Sequence, residues 1–504
     1  MARAPILFMS VLLLIMPQWI HRVFGQWVST EQIIFHVLSG LSGLEGSDST
    51  IITSFIWWNL VIPAFITLGL LISLSLFRRF LLFFASSIGF TNFKNSSLLQ
   101  QFIRLMVCSC HFLVKAISSI FFFLILLILS AIFFYKSLGV GGYIKTFTGK
   151  DTFSHFYVDP SNLKLMPSSN KKNVILIYFE SLEYSLRDQR VFGGNLLSPI
   201  DKLPGVNLNI LAAPGTTWSL AGMISSQCSI PVKGTSGFSS YAASSYLPNL
   251  ICLGDILNPR GYNSYFLVGP ELEFSGMDKY YKGHGYQNNF GLNEWKKLGL
   301  SQALFTGWGG GIQDDTLLEE AGKIIASNSK TSTPYNLTII TTDSHAPEGV
   351  ISPRCNQSER SNGFKGAFHC SSRLVANFIN DLKSKGLLNN TVVIIMGDHN
   401  FMGTAEQLKS FPDQRPVYFK IIDSETSRSP GRDVMTHFDV APTLLDSLGI
   451  LPEGTDKFGL GISAYSNMKI NEYLDHMEEV LSPNILNHSN TYDSFWLKRS
   501  KPVP

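Results

Sequence analysis

The chain has 504 residues, of which 45% are hydrophobic, and its mean hydropathy is positive. This composition is unusual for a wholly soluble enzyme and indicates segments that lie in a membrane. The formal net charge is only +3 and the basic residues form no long block, so binding to nucleic acid is not expected.

Three apolar stretches at the start of the chain predict membrane-spanning helices. We place this transmembrane region at residues 1–135, with helices at 5–24, 51–77 and 114–135. We interpret the first stretch as a retained helix rather than a signal peptide, because no small-residue cleavage site follows it. An amphipathic helix is predicted near residues 31–41, outside the membrane.

Basic residues predict the orientation of these helices. Arg78, Arg79, Lys94 and Arg104 lie between the second and third apolar stretches, which is the one multi-residue basic loop among them. Because such loops stay in the cytoplasm, we expect the chain to begin there and everything after Tyr135 to lie outside. Residues 80–90 are interpreted as an interfacial or re-entrant helix.

The rest of the chain has the pattern of an α/β domain. Residues 136–170 are polar and are interpreted as a linker to a domain at residues 171–504. Short apolar runs alternate there with helical segments, which predicts a mostly parallel central sheet covered by helices. The runs at Asn173–Phe179, 337–342 and 391–396 are typical of strands buried on both faces.

These three predicted strands end on side chains that can bind ligands. Glu180 follows the first, His345 lies shortly after the second, and Asp398 and His399 follow the third. Ligands of parallel sheets gather beyond the carboxyl ends of the strands, so we expect these side chains at one edge. One such residue alone is commonly a helix cap or an ion-pair partner, and Glu183 is interpreted as a solvated or paired carboxylate.

The stretch at residues 214–231, PGTTWSLAGMISSQCSIP, adds a hydroxyl pair before an apolar helical run. We interpret Thr216 as a nucleophile and Thr217 as the N-cap of the helix. A threonine hydroxyl attacks at neutral pH only when a base or a metal ion activates it. The start of the helix also points its positive end at any bound phosphate.

The strand ends supply an activating site for this hydroxyl. Carboxylate oxygens from Glu180 and Asp398 would combine with a nitrogen of His399 and with the Thr216 hydroxyl. This mixed oxygen and nitrogen shell suits zinc or manganese. A divalent cation beside the hydroxyl would lower its pKa.

At these residues the chain resembles the metal-dependent lipid-headgroup transferases of the alkaline phosphatase and sulfatase superfamily. These include lipoteichoic acid synthases, phosphoethanolamine transferases and the phosphoglycerol transferases of osmoregulated periplasmic glucans. The resemblance extends from residue 27 to about residue 463. Its strongest stretches are YFESLE (178–183), PGTTWSLAGMISSQCSIP, NLICLGDIL (249–257), SHAPEGVIS (344–352) and GDHNFM (397–402).

The resemblance implies a reaction in two steps. The spacing to Pro231 matches Thr216, rather than Thr217, to the nucleophile of these relatives. Thr216 attacks the phosphodiester of phosphatidylglycerol, and diacylglycerol leaves. A sugar hydroxyl of an acceptor glycan then takes the phosphoglycerol from the phosphoglyceryl-threonine. His345 is implied as proton donor or phosphate ligand. The implied cofactor is one or more divalent ions, zinc or manganese, held by Glu180, Thr216, Asp398 and His399.

Further residues are matched by the resemblance, and some have structural alternatives. Trp308 and His284 are implied to contact the headgroup, although His284 equally suits a loop-capping role. His437 opens a helix that Asp439 is expected to cap, and it suits either a site contact or a structural role. With an oxidising exterior, the resemblance implies a disulfide between Cys228 and Cys252, while Cys355 and Cys370 would close a surface loop; buried free thiols are the alternative.

The protein so implied is a membrane-anchored phosphoglycerol transferase of the bacterial inner membrane, with its catalytic domain in the periplasm. Its partners would be membrane lipid, as donor, and an envelope glycan, as acceptor. The alternative enzyme is a phosphoethanolamine transferase acting on lipopolysaccharide or another envelope glycan. A non-catalytic glycan-binding module is the third interpretation, against which the four metal-site residues argue.

Overall fold

The computed structural model describes residues 3–25, 28–39, 49–89, 97–167, 171–234, 245–346, 348–402, 406–411, 415–423, 428–452 and 454–497. The chain divides into two compact units. The first, here called the helical unit, contains Met1–Val23 and Ser49–Gly141. The second contains Phe24–Asp48 and Gly142–Pro504, and it is here called the catalytic unit after the catalytic domain that the sequence predicts at residues 171–504. A short segment between the first two apolar helices therefore belongs to the catalytic unit.

Eight described helices precede the central sheet. They are α1 (Arg3–Phe24), α2 (Thr30–Ser39), α3 (Ser49–Ile56), α4 (Ile62–Gly89), α5 (Ser97–Ser118), α6 (Ile120–Ser137), α7 (Val140–Thr146) and α8 (Phe153–Phe156). A π-helical turn at Trp57–Val61 joins α3 to α4 without a break. Three helical stretches are long and apolar enough to cross a membrane: Arg3–Phe24, Ile51–Ser87 and Ile120–Ser137.

The helical unit differs from the sequence-based placement in two ways. Residues 80–89 do not form a separate helix, because α4 continues without interruption to Gly89. Phe90, the last residue of that prediction, lies outside the described residues. Helix α5 occupies residues that were expected as a basic loop and as the start of the third apolar helix. That third helix begins only at Ile120, where the Ser119 hydroxyl accepts a hydrogen bond from the Phe121 N–H and caps it.

The basic residues used to predict orientation lie within these helices. Arg78 and Arg79 belong to α4, and Arg104 belongs to α5. Lys94 lies outside the described residues. Single charges do not interrupt a helix that is otherwise apolar or amphipathic, so the described part of this basic segment is helical. The orientation across the membrane stays a prediction.

The predicted linker at residues 136–170 is partly built into the catalytic unit. Phe153 of α8 is fully buried, and its ring lies edge-to-face against that of Tyr492, with centroids 5.4 Å apart. Its neighbour Ser154 donates a hydrogen bond to the hydroxyl of Thr491 at 2.7 Å. A polar average over this stretch concealed the aromatic side chains that anchor it: Phe153, Phe156 and Tyr157 all pack against the core of the catalytic unit.

The catalytic unit is built on a mixed, mostly parallel sheet of eight strands. They are β1 (Asn173–Phe179), β2 (Val206–Leu211), β3 (Asn263–Val268), β4 (Asn288–Phe290), β5 (Tyr335–Ile340), β6 (Thr391–Gly397), β7 (Val417–Asp423) and β8 (Val434–Thr436). Their order is β4-β3-β5-β1-β6-β7-β2-β8. Only β7 runs antiparallel to its neighbours in this sheet of described strands. The predicted fold class is confirmed.

The three strands predicted from the sequence occupy the centre of this sheet. β1 lies between β5 and β6 and pairs in parallel with both, so that Tyr178 is opposite Ile340 and Met396. All seven residues of β6 and all six of β5 are buried. Their carboxyl ends therefore meet at one edge, as the apolar runs predicted.

Helices cover both faces of the sheet. They are α9 (Gln189–Phe192), α10 (Ser198–Asp201), α11 (Ser219–Cys228), α12 (Leu253–Leu257), α13 (Met277–Gly283), α14 (Leu292–Lys297), α15 (Asp314–Asn328), α16 (Gln357–Arg360), α17 (Gly363–Ser384), α18 (Val440–Ser447), α19 (Ile470–Leu481) and α20 (Asn490–Asp493). Alternate β1 side chains enter separate apolar cores: Leu176 and Tyr178 lie in one, Ile175 and Ile177 in the other.

Candidate active site

The ends of β1 and β6 bring Glu180, Asp398 and His399 together. Phe179 pairs with Gly397, so the residues that follow the two strands are neighbours. The His399 Nε2 atom lies 3.4 Å from Asp398 Oδ2 and 3.6 Å from Glu180 Oε1. All three side chains are buried, and one ligand atom from each lies within 4.8 Å of the others. We call these three residues the metal cluster.

Hydrogen bonds to the surrounding protein orient the metal cluster. Asp398 Oδ1 accepts from the backbone N–H groups of Ser181 and His399, at 2.8 and 2.9 Å. Asp398 Oδ2 is buried and has no hydrogen-bond partner among the described residues. His399 Nδ1 donates to the Asn400 carbonyl oxygen at 2.6 Å, which leaves the Nε2 lone pair directed at the two carboxylates.

The electrostatics of the metal cluster favour a bound cation. Burial raises the pKa of Asp398 to about 6, and the negative charge of Glu180 adds to the effect. Burial alone would lower the pKa of His399, but the carboxylates of Asp398 and Glu180 raise it overall. The ligand oxygens of Glu180 and Asp398 lie within 4.8 Å of each other, and two buried carboxylates this close are stabilised by a positive charge between them. A carboxylate oxygen of Glu180, the orphaned Asp398 Oδ2 and the imidazole nitrogen of His399 fit zinc or manganese.

The start of α11 packs against the metal cluster. The Ser219 Oγ atom lies 3.2 Å from His399 Nε2. Gly222, one turn further along, passes so close to Asp398 that a Cβ atom there would lie 1.9 Å from the Asp398 carbonyl oxygen. The glycine is therefore required for the close approach of α11 to the metal cluster.

Thr216 lies three residues before Ser219 and is fully buried. Its Oγ1 donates a hydrogen bond to the Ala213 carbonyl oxygen at 2.8 Å. The proposed nucleophile is thus close in the chain to a residue that contacts His399. Ser219 was missed in the sequence, although a hydroxyl three residues after a candidate nucleophile is a recognisable signal.

Thr217 is not the N-cap that the sequence predicted. Helix α11 begins at Ser219, and Trp218 occupies the N-cap position without a side-chain cap. Trp218 is 1% exposed, and its ring lies 5.2 Å from that of Phe35 in α2. This packing, contributed by a distant part of the chain, sets where the helix begins. The Thr217 hydroxyl lies 3.5 Å from Gln32 Oε1 and donates to it.

The structure brings Trp308 and His345 together. Their rings stack with centroids 4.1 Å apart and an interplanar angle of 28°. His345 Nδ1 lies 2.9 Å from the Ala346 carbonyl oxygen. The preceding residue, Ser344, donates to the Glu180 carbonyl oxygen at 2.7 Å. The loop after β5 is therefore attached to the end of β1, beside a member of the metal cluster.

Two buried aspartates that the sequence did not single out hold this loop. Asp314, at the start of α15, accepts from the N–H groups of Thr342 and Asp343 at 2.7 and 3.2 Å. Asp343 accepts in return from the Asp314 N–H at 3.2 Å. Burial raises the pKa of Asp314 to about 7 and also raises that of Asp343, where the charge of Asp314 contributes. No local pattern links these positions, because they come from different elements.

His437 supports the backbone of a metal-cluster residue. Its Nε2 donates to the Asp398 carbonyl oxygen at 3.0 Å, and its Nδ1 is buried with no partner in the part of the chain that the structure describes. Burial lowers its pKa to about 4, so the ring is neutral. Asp439 accepts from the Thr436 N–H at 2.7 Å in the capping box of the 3-10 turn His437–Asp439. It also occupies the N-cap position of α18, but its side chain makes no capping hydrogen bond to that helix. A direct headgroup contact of His437 stays a prediction.

His284 lies in a buried network. Its Nδ1 is 2.7 Å from Asp255 Oδ2, and its Nε2 is 2.8 Å from the Tyr246 carbonyl oxygen. Because both ring nitrogens have partners within the protein, these contacts favour the loop-capping alternative. A headgroup contact of His284 stays a prediction.

Both expected disulfides are present in the structure. Cys228 and Cys252 join the end of α11 to the residue before α12, with an S–S distance of 2.11 Å. Cys355 and Cys370 close a loop onto α17, with an S–S distance of 1.99 Å. The helix that packs on the metal cluster is thus covalently fixed at its far end.

Residues 172–450 match the protein family described as Sulfatase, over more than half of the chain. The chain belongs to the sulfatase family. It is also similar to curated proteins named phosphoglycerol transferase I. The protein of Salmonella newport (strain SL254) is 32% identical over 369 residues, which cover 70% of this chain and 47% of that relative. The protein of Citrobacter koseri is 32% identical over 371 residues, with the same coverage of 70% and 47%.

The chain therefore spans about half the length of the curated relatives it matches. Among solved structures, it is similar to a protein of the alkaline phosphatase superfamily from Vibrio parahaemolyticus. That similarity has a TM-score of 0.48 and 20% sequence identity, and it covers 61% of this chain and 77% of that chain. The family resemblance inferred from the sequence motifs is confirmed by the family match.

Proposed function

We propose that this protein is a membrane-anchored transferase that moves phosphoglycerol from phosphatidylglycerol to a glycan of the bacterial cell envelope. The observation that carries the proposal is the buried metal cluster with the start of α11 packed against it. The relatives named phosphoglycerol transferase I support this choice of headgroup. The three apolar helices suit a lipid donor, and the two disulfides suit a catalytic unit in the periplasm.

In the first step, Thr216 Oγ1, ionised by loss of its proton to solvent, attacks the phosphorus of the donor as an alkoxide and is released as the alkoxide in the second step. The bond from phosphorus to the diacylglycerol oxygen breaks, and a phosphoglyceryl-threonine forms. A divalent cation held by Glu180, Asp398 and His399, and by Thr216 itself, would lower the pKa of the Thr216 hydroxyl and offset the phosphate charge. The N-terminal N–H groups of α11 add a favourable field for the phosphate.

In the second step, an acceptor hydroxyl attacks the same phosphorus and releases Thr216. In this proposal His345 handles the protons: it would donate one to the departing diacylglycerol oxygen and later remove one from the acceptor hydroxyl. Its stacking on Trp308 fixes the plane of the imidazole. The ring of Trp308 would also form a wall for the glycerol headgroup.

The test is to incubate the full-length protein in detergent with labelled phosphatidylglycerol and manganese or zinc. We expect phosphoglycerol on the peptide that contains Thr216, and none in the Thr216→Ala variant. Thr216→Ser, which keeps a hydroxyl, should retain labelling. Thr217→Ser, which keeps the neighbouring hydroxyl, is the matched control and should still be labelled at Thr216. Full transfer by Thr216→Ala would contradict the proposal, whatever the donor.

The same assay with phosphatidylethanolamine decides the headgroup. Phosphoethanolamine on Thr216, with no phosphoglycerol from the other lipid, would replace the proposed donor with phosphatidylethanolamine. A protein without bound metal in elemental analysis, together with full function of Thr216→Ala in cells, would support a glycan-binding module instead. Comparing envelope glycans from cells with wild-type and Thr216→Ala protein identifies the acceptor.

A further inference from the structure

Helix α2 lies between the first two apolar helices in the sequence, yet it packs into the catalytic unit. Its Phe35 side chain is fully buried in the core that contains Trp218. The His36 ring also lies against Trp218, with centroids 6.5 Å apart. Burial lowers the pKa of His36 to about 4, and the charge of His399 contributes.

Two close backbone approaches fix this segment in place. A Cβ atom on Gly25 would lie 2.3 Å from the Met402 carbonyl oxygen, and Gly25 has a φ of +84°. A Cβ atom on Gly234 would lie 2.8 Å from the Glu31 carbonyl oxygen. Glycine is needed at both positions, because any side chain would push α2 away from the loops beneath it.

Gln32 connects the two loops that form the active site. Its side chain is 1% exposed. Its Oε1 accepts from the hydroxyl of Thr217, the residue next to the proposed nucleophile, at 3.5 Å. Its Nε2 donates to the sulfur atom of Met402 at 2.9 Å. Met402 lies three residues after His399, so one side chain contacts both the nucleophile loop and the loop that carries the metal cluster.

We propose that Gln32 is a positioning residue that sets Thr216 relative to Asp398 and His399, and that α2 is thereby a part of the active site. The hydrogen bonds of the Gln32 side chain go to Thr217 and Met402, so it acts on Thr216 and the metal cluster through these two residues. Small errors in the position of an attacking group are costly, and a 1 Å displacement can lower a rate about a hundredfold. The expected effect of Gln32 on the reaction rests on the proposed function. Its contacts with Thr217 and Met402 do not.

The test is a double-mutant cycle in the full-length protein. Gln32→Met keeps a similar volume and loses both hydrogen bonds, and Thr217→Val loses the hydroxyl at nearly constant shape. We expect Gln32→Met to lower kcat about tenfold and to change the KM for the lipid donor by less than about twofold. The double variant should be no slower than Gln32→Met alone, because both changes remove one contact. Thr217→Ser, which keeps the hydroxyl that donates to Gln32, should have the kcat of the wild type.

Ile34→Ala is the matched control. It trims an apolar side chain on α2 that points about 200° away from Gln32 around the helix, and it should leave kcat unchanged. Wild-type kcat in Gln32→Met would overturn the proposal. So would a double variant whose loss is the product of the two single losses.

Two further readouts separate this inference from the proposed function. Cleavage of an artificial nitrophenyl phosphodiester should show the same cycle even if phosphatidylglycerol is not the donor. Hydrogen exchange at residues 213–218 and 399–402 should become faster in Gln32→Met and not in Ile34→Ala. If transfer from phosphatidylglycerol is seen and neither readout changes, the positioning role fails and the proposed function stands.

Discussion

Glu180 and Glu183 are two buried carboxylates at the end of the same strand, and they have opposite environments. Glu183 is matched by a cation of the protein: Arg415 Nε lies 2.8 Å from its Oε1, with the two side chains 7% and 0% exposed. The other oxygen, Oε2, accepts from the Phe401 N–H at 3.1 Å. Arg415 in turn donates to the Phe401 carbonyl oxygen at 3.1 Å.

Glu180 instead faces a second carboxylate. Its Oε1 accepts from the Ser181 hydroxyl at 2.6 Å, while its nearest charged neighbours are Asp398 and the ionisable His399. Asp398 Oδ2 has no hydrogen-bond partner within the described ranges. Glu183, whose charge is paired within the protein, thus lies only three residues after Glu180, whose charge has no such partner and is available to a ligand.

The difference distinguishes a structural charge from a site charge. Burying a carboxylate is unfavourable unless a counter-charge and hydrogen bonds accompany it. Glu183 has both, so it ties the loop after the metal cluster to the end of β1. Glu180 and Asp398 leave part of the cost unmatched, which raises the affinity of the site for a cation.

The largest expected effect is on activity. Glu180→Gln should lower transfer of phosphoglycerol at least about a thousandfold, or about 4 kcal/mol in the barrier, because a metal ligand is lost. The thermal stability of the metal-free protein should be unchanged or higher, since one buried charge is removed. The measurement is transfer from labelled lipid beside a melting curve. Activity within tenfold of wild type would remove Glu180 from the metal cluster.

The second effect is on stability. Glu183→Gln should lower the free energy of unfolding by about 3–5 kcal/mol, because Arg415 is left buried without its partner. Denaturant unfolding of the full-length protein measures it. The double variant Glu183→Met with Arg415→Met should recover part of the loss. If the double variant loses as much stability as the single variants Glu183→Met and Arg415→Met lose together, the two residues are not a pair.

Metal addition should separate the two carboxylates directly. Zinc or manganese at about a hundred times its Kd should stabilise the chelator-treated wild type by about 2.7 kcal/mol. Glu183→Gln should gain a similar increment from a lower baseline, whereas Glu180→Gln should gain none. The measurement is the melting temperature with and without metal. An equal gain in all three proteins would place the metal elsewhere.

The smallest effect concerns Glu359, a paired carboxylate nearer the surface. Burial alone would raise its pKa, but hydrogen bonds from Arg373, the Asn356 N–H and His369 lower it from 4.5 to about 2. Its contribution to stability is therefore present above about pH 4.5 and is lost as the pH falls through about 2. Glu359→Gln should flatten the stability curve in that window by at most about 1 kcal/mol, because Arg373 is partly exposed. If the free energy of unfolding of Glu359→Gln falls between pH 4.5 and 2 as steeply as that of the wild type, this prediction is wrong.

The sequence by itself determined the central strands and the residues that follow them. Apolar runs such as Asn173–Phe179 can be buried only in a sheet covered on both faces, and the residue after each run must lie at its carboxyl edge. Glu180, Asp398 and His399 could therefore be named as one cluster. The helix after Thr216 was also predicted, although not its start.

Only the tertiary structure decided which segments complete the site. Gln32 and Met402 are separated by 370 positions, and Asp314 and Thr342 by 28, so no local period relates them. Trp218 rather than Thr217 precedes α11 because a side chain from α2 packs on it. Local patterns record which residues are buried and where elements end. Contacts between residues of different elements depend on how those elements pack in the tertiary structure, which no local pattern specifies.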